Sequence, residues 1–590
     1  MGWVSRMWPF QQRGRLPHSL SSGNVVTIAL ELYRHQGNRY FLLSLFAHGW
    51  FLLLTIAAML IVAVALIVGG ILAGGVNNVA LFFLLAGIGI LVALPFYLFG
   101  WTRLMASGAL LSRRIYAALT ALEESESEAR RCIFPKMWNY LLATLMVSFI
   151  LLFVYGVLGA IGYLLYLLGA PLVQLLEQNI QTEPARGLFF LSFLLGILLL
   201  VLLALLVISY VMARLSLVDV VLALEPACTP LKSIRRSWQL TQGQVWHTLT
   251  VFFVASLATI PANLLGSVIN SVVIIPVAGL FVGVLLLPLW QGIKAVLYWD
   301  LRVRNEGAAF QVRPEVVNPL RWLRRVTLRT PESIELDFAL GGIGSRVLAW
   351  LIDQVILYTA LVLFSLAAGY IYFYGLYPWL IEVLPASGQS IQAWSLGIYL
   401  LVIFALYNGY YIFFETYWQG QTPGKRYAEI RVVQDNGRPI GLREATLRSL
   451  LQSIDFAFLG IGAFLVTLSQ SEKRLGDRVA GTLVIQDEQA TRLAPPGTTL
   501  RQPEAAWVQE LRSLAHWEQM TPEHYLLVRN YLNSRDRLSP VGRYQAAQEL
   551  RQQLEPLLLP TCPAHWPSLS AEDFLEGLYI AYRQRHQSSP

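Results

Sequence analysis

The sequence predicts an all-α polytopic membrane protein. It should hold about eight transmembrane helices plus one re-entrant helical hairpin, a short cytoplasmic β-hairpin and a small helical cytoplasmic tail. Three observations lead there. Hydrophobic residues make up 55% of the 590 positions and charged residues only 14%, against about 25% charged in soluble domains. Several apolar runs exceed the roughly 20 residues that cross a bilayer as a helix. The arginines and lysines fall in alternate connections between those runs, which is the pattern of the positive-inside rule.

The first six runs are Phe41–Leu72, Ala80–Leu104, Tyr140–Leu168, Leu188–Ala213, Thr248–Ile269 and Val272–Leu297. Backbone polar groups in hydrocarbon must be satisfied internally, so each is read as a helix. Before the first run stand Arg13, Arg15, Arg34 and Arg39, and between the second and third Arg113, Arg114, Arg130, Arg131 and Lys136. Arg214, Lys232, Arg235 and Arg236 separate the fourth and fifth, and Arg302, Arg304 and Arg313 follow the sixth. The connection Ala73–Val79 carries no charge. This alternation predicts three hairpins with both termini cytoplasmic. The formal charge of +8 therefore belongs to cytoplasmic loops, and nucleic acid is not an expected partner. The polar, arginine-bearing stretch before Phe41 does not read as a cleavable signal. Cys132, Cys228 and Cys562 have no metal-ligand spacing and make no disulfide framework.

The cytoplasmic connectors share a form: an amphipathic stretch that ends in an aromatic residue and enters a span, as in Ser237–Trp246. Their arginines can snorkel while Trp and Tyr sit at headgroup level. The cluster Lys232, Arg235 and Arg236 is a candidate site for an anionic lipid headgroup. The stretch Leu224–Trp238, followed by a new span, resembles the membrane domain associated with glycerophosphodiester phosphodiesterases. That resemblance implies a membrane module over roughly residues 25–305, without the phosphodiesterase barrel.

Residues 1–304 thus form a six-helix membrane domain, and 305–329 a polar linker with Pro314 and Pro319. A second membrane domain covers 330–486 and a tail 487–590. The second domain opens on an alternating stretch, Thr330–Phe338, expected as a surface strand. A helix follows from near Ser345, with Arg346 and Asp353 on one face. Seven residues are nearly two turns, about 10 Å, so Asp353 is expected within the hydrocarbon, where an ionisable group needs a partner. After the span Leu396–Phe414 come Thr422-Pro423-Gly424-Lys425-Arg426 and the turn Asp435-Asn436-Gly437-Arg438-Pro439, together expected as the β-hairpin. Arg448 and Asp455 repeat the Arg-x6-Asp spacing. The run 450–468 is interrupted at Gly460 and Gly462. A full crossing there would put Lys473, Arg474 and Arg478 outside, so it is expected to re-enter.

These residues carry a further resemblance. Arg346, Asp353, the Thr-Pro-Gly-Lys-Arg motif, Arg474-Leu475-Gly476-Asp477 and Ala480-Gly481-Thr482-Leu483-Val484 resemble, in order, the motifs of the RDD family of bacterial membrane proteins. The resemblance covers about residues 330–485 and implies residence in the bacterial inner membrane. It also implies one arginine, Arg346, and two aspartates: Asp353, with either Asp477 or Asp455 as the second. Transport of unidentified ligands, or cation–proton exchange, is what the family suggests.

Helix starts in the tail are expected at Thr521-Pro522-Glu523, Ser539-Pro540 and Ser570-Ala571-Glu572-Asp573, with a core of Tyr525, Leu526, Val528, Leu532 and Leu538. No His-Glu-x-x-His, glycine-rich phosphate loop or nucleophile–base pair occurs. No catalytic residue, cofactor or metal is therefore expected. Two readings stand. In one, Arg346, Asp353, Arg448, Asp455 and Asp477 make an intramembrane site for an ion or small molecule. In the other, they are structural ion pairs of a scaffold or assembly protein whose tail binds a protein partner. In either case the expected surroundings are the lipid bilayer.

Overall fold

The computed structural model describes residues 20–306, 319–329, 335–457, 472–487 and 508–587, apart from short stretches within them. Among these, eight helices are long and apolar enough to cross a membrane. In chain order the described helices of the N-terminal part are α1 (Ser22–His35), α2 (Gly37–Val76), α3 (Val79–Leu119), α4 (Glu126–Ile133), α5 (Met137–Asn179), α6 (Glu183–Leu215), α7 (Val218–Leu224), α8 (Pro230–Leu240), α9 (Val245–Val272) and α10 (Val277–Glu306). Then come β1 (Arg325–Arg329), β2 (Glu335–Ala339), α11 (Ile343–Ile371), α12 (Tyr377–Val383), α13 (Gly388–Tyr417), α14 (Pro423–Tyr427), β3 (Ile430–Gln434), α15 (Leu442–Ala457), α16 (Leu475–Ala480) and β4 (Thr482–Gln486). The tail supplies α17 (Pro522–Ser534), α18 (Pro540–Leu558) and α19 (Ala571–Gln587). The expected re-entrant hairpin around Gly460 and Gly462 lies outside the described residues.

Two compact units divide the chain. One holds residues 32–252 and 276–302, the other residues up to 31 together with 253–275 and 303–590. In the first unit the long helices are apolar on all sides over most of their length and turn Leu, Ile and Phe outward, as lipid-facing spans must. Where α2 and α3 meet, small residues set the distance: a Cβ on Gly89 would run into Ala65, and one on Gly100 would lie 3.2 Å from Leu54. Such close packing is what holds helices together in a medium as apolar as their own surfaces.

In the second unit β1 and β2 form an antiparallel hairpin, Arg325 opposite Ala339 and Arg329 opposite Glu335. The end of the expected linker is therefore a strand. The expected turn at Asp435–Pro439 is present, with Gly437 at φ +78° and Gln434 N donating to Arg438 O (2.9 Å). Beyond one bridge to Pro439, however, β3 takes its full partner from far along the chain. It pairs antiparallel with β4, Ile430 opposite Gln486. All five residues of β4 are buried, and burial favours this long-range choice, because Leu328, Leu340, Val433, Leu483 and Ile485 form one apolar cluster between the two strand pairs.

The polar N-terminal arm contains a helix that sequence reasoning passed over. Ser21, Ser22, Asn24 and Thr27 are buried, packed on the start of α11. Asn24 Oδ1 accepts from Ser345 Oγ (2.7 Å) and Gln486 Nε2 (2.9 Å), and Thr27 Oγ1 accepts from Gly344 N (3.2 Å).

α17 and α19 start at the expected caps, with Thr521 accepting from His524 N and Ser570 from Asp573 N. Val528, Leu532 and Leu538 are in the core, which is completed by Leu550, Phe574 and Leu578. Leu526 is not: it is 43% exposed. Arg543 hydrogen-bonds Glu572 and so holds the Glu572 carboxyl below the ordinary glutamate range. A carboxylate depressed in the folded state adds stability that is fully present above its unfolded value of about 4.3 and is lost as pH falls through the lower folded value. Unfolding followed by tail tryptophan fluorescence should shift to lower temperature as the pH is taken below about 4. Arg543→Gln should flatten that dependence; an unchanged profile would remove the pair from the account.

Candidate functional site

A charged cluster is assembled from five elements of the second unit. α11 contributes Arg346 and Asp353 from its first three turns, and α13 contributes Glu415 at its far end. The short α14 brings Lys425, α15 brings Arg448 and α16 brings Asp477. All six side chains are at most 8% exposed. Burying so many charges is tolerable only if each is paired or hydrogen-bonded.

The pairing runs as a chain. Arg346 Nη1 donates to Asp477 Oδ2 (2.9 Å), and its Nε donates to Gly341 O (2.7 Å). The other oxygen of Asp477 accepts from Arg448 Nη1. Arg448 also donates to Thr482 Oγ1 (2.9 Å) and, through Nε, to Glu415 Oε2 (3.3 Å). Glu415 Oε1 closes the line on Lys425 Nζ. Arg474 N adds a further bond to Asp477 (3.0 Å). Burial alone would raise the Asp477 carboxyl; the Arg448 and Arg346 guanidiniums outweigh it and hold the group well below the ordinary carboxylate range.

Asp353 is held differently. Its oxygens accept from Tyr410 OH (2.9 Å), Thr422 Oγ1 (2.6 Å) and Gly424 N (2.8 Å). The Thr-Pro-Gly-Lys sequence explains how. Thr422 caps α14, accepting from Lys425 N (3.2 Å) while its own proton goes to Asp353. Pro423 starts the helix, where a missing N–H costs nothing. Gly424 must be glycine: a Cβ there would lie 2.8 Å from the Asp353 carboxyl and collide with Ala349 O. Lys425 then reaches Glu415. Three cations and three carboxylates make the whole cluster neutral. Arg346 Nη2 is the one guanidinium nitrogen in it that is buried without a hydrogen-bond partner among the described residues.

The sequence-predicted residues are therefore partly gathered and differently wired. Arg346, Arg448 and Asp477 are in direct contact. Asp353 pairs with neither arginine, contrary to the cross-helix network expected from the two Arg-x6-Asp helices. The side chain of Asp455 lies outside the described residues. Glu415, Lys425, Thr422, Tyr410 and Thr482 were not singled out as site residues. Glu415 could have been: it is an acid closing an apolar run, eight residues before the Pro-Gly-Lys turn. Lys232, Arg235 and Arg236 sit on α8 in the other unit, away from this constellation in the chain. No group of three or more His, Cys, Asp or Glu residues suited to a metal occurs among the described residues.

No curated protein and no solved structure matches the chain. Residues 340–481 match the RDD family, and that range takes in the whole cluster except Thr482. The chain thus carries an RDD family domain, of a family typical of membrane proteins, over residues 340–481.

Proposed function

We propose that the RDD domain acts as a non-catalytic membrane scaffold, with its charged residues serving as a lock between helices rather than as a carrier site. One observation supports this above others: the cluster balances three cations with three carboxylates, each at most 8% exposed, and its ion pairs are made within the domain. A carrier site needs charge left over for its cargo. The lock fastens α11, α13, α14, α15 and α16 at one end of the spans, and the helical tail continues from β4 as the part available to protein partners.

A second reading, ion or proton-linked transport, is favoured by one feature. Asp353 is held by three neutral donors, so it could lose or gain a proton without breaking an ion pair. Flux measurements in reconstituted vesicles separate the two. Under the scaffold reading, protein-containing vesicles loaded with a pH-sensitive dye leak protons and monovalent cations at the rate of empty ones, and Asp353→Asn changes nothing. A flux that Asp353→Asn abolishes would overturn the scaffold reading in favour of transport.

A further inference from the structure

The unit of residues 32–252 and 276–302 carries a second polar feature. α8 is amphipathic: Pro230, Ser233, Ser237 and Leu240 are buried, while Leu231, Lys232, Arg235 and Trp238 face outward. It is fastened to the end of the span α6. Ser237 Oγ donates to Arg214 O (2.7 Å), and Arg214 Nη1 donates to Trp238 O (2.8 Å). The Arg214 guanidinium also lies 4.5 Å from the Trp238 ring centre. The next span begins at Val245, and its Trp246 is 71% exposed. α8 is thus tied to the level where a span ends. Its outward Leu231, 67% exposed, and its tryptophan are the side chains of a bilayer interface.

Beside α8 opens a cleft of about 390 Å³ lined by Glu225, Cys228, Lys232, Arg235, Arg236 and Gln239. An adjoining cleft of about 350 Å³ shares Glu225 and Arg236 and adds Tyr116, Tyr298 and Arg302. Among the residues that line the two clefts, four are cations and one, Glu225, is a carboxylate, which is already engaged. Glu225 Oε1 accepts from Arg236 Nε (2.7 Å) and Tyr298 OH (3.1 Å). Tyr116 OH accepts from Arg302 Nη1 (3.4 Å), which orients the guanidinium at the inner wall. Lys232 and Arg235 make no ion pair among the described residues, in contrast to Arg236. Lys232 and Arg235, an ammonium beside a planar guanidinium, match a phosphate diester or monoester.

We propose that this cleft binds the phosphate of an anionic phospholipid headgroup. The site takes phosphate chemistry from Lys232, Arg235, Arg236 and Arg302. The apolar flank of α8 selects a phosphate that arrives on acyl chains over one free in solution. Gln239 provides a neutral donor at the rim for headgroup hydroxyls.

The test uses the purified full chain in detergent micelles and measures binding of a fluorescent phosphatidylglycerol and its phosphatidylcholine counterpart. Phosphatidylglycerol should bind the more tightly, and added salt should weaken it. The pair Lys232→Gln with Arg235→Gln should weaken it about 30-fold at low salt, from roughly 1 kcal/mol for each basic side chain near an anionic surface. Should that pair fail to fold, Glu225→Gln gives an independent readout: loss of the one carboxylate should tighten binding. Equal affinity for the two lipids, or an unchanged or weaker Glu225→Gln, overturns the site. Full displacement of the lipid by millimolar inorganic phosphate, with the same dependence on Lys232 and Arg235, overturns the lipid as its source.

Discussion

Asp477→Asn should destabilise the protein by about 3–5 kcal/mol, the range for removing one partner of a buried pair. Asp477 is the only group in the cluster that touches both arginines, one on each carboxylate oxygen. The amide has one acceptor oxygen and no charge. Arg346 and Arg448 would then confront each other across a site less than a tenth exposed. Arg448 would keep Glu415, but Arg346 would keep only the carbonyl of Gly341. Unfolding in mixed micelles measures the loss. The double variant with Arg346→Gln should cost less than the sum of the two single variants, because the orphaned charge leaves with it. Asp353→Asn should cost less, about 1.5–3 kcal/mol, since only hydrogen bonds to a charged group are weakened. Additive single and double variants, or a costlier Asp353→Asn, would falsify the wiring described here.

Gly344→Leu should be nearly as damaging, by at least about 3 kcal/mol. A Cβ at Gly344 collides with the carbonyl of Gly23 and lies 2.9 Å from the Val26 Cβ. On the facing helix, a Cβ at Gly23 would lie 2.5 Å from the Ser345 Cα. Neither obstacle is the mobile end of a side chain, so α1 and α11 would have to separate. Separation also breaks the bonds that Asn24 accepts from Ser345 and Gln486. Gly369 in the same helix α11 has nothing within 4 Å of its Cβ position. Gly369→Leu is the matched control and should be neutral or slightly stabilising, because leucine is the better helix former by most of 1 kcal/mol. Thermal unfolding compares the two. Similar melting temperatures for both variants would mean that α1 does not need the close approach.

The spans were legible because the bilayer imposes a requirement that few residues can hide: some twenty apolar positions in a row. The arginine-bearing connectors were legible for the same kind of reason. Arg346 stood out as a charge beside glycines and apolar residues, and Asp477 through the Arg-Leu-Gly-Asp motif that carries the family resemblance. Their mutual contact was not readable, since nothing local in Arg346–Asp353 says that the partner of Arg346 lies elsewhere. Regular seven-residue spacing instead suggested that arginine and aspartate of like helices belong together. Glu415 and Lys425 escaped notice because one ends a span and the other sits in a turn; only the fold brings them to Arg448. β3 illustrates the same limit. Its turn was correctly placed at Gly437, yet its partner strand is set by apolar burial with Leu328 and Leu340, a condition no local pattern encodes. Nor could the docking of α1 be read, because Gly, Asn and Thr in a polar arm look like ordinary linker residues until another glycine-rich helix start faces them.

The wiring of Arg346 also bears on how the protein is made. Its carboxylate partner lies 131 residues further along the chain. At ribosomal rates of about 5–20 residues per second, roughly 7–26 s pass between their syntheses. During that time α11 is complete but its guanidinium has no counter-ion, and β3 lacks β4. The nascent domain must keep the start of α11 in contact with water or with the insertion machinery. Only when α16 and β4 emerge can the charges be sealed off together. The last segment of the domain to be translated is thus the one that completes its burial. A chain released before Asp477 would leave buried arginines open to quality-control proteolysis.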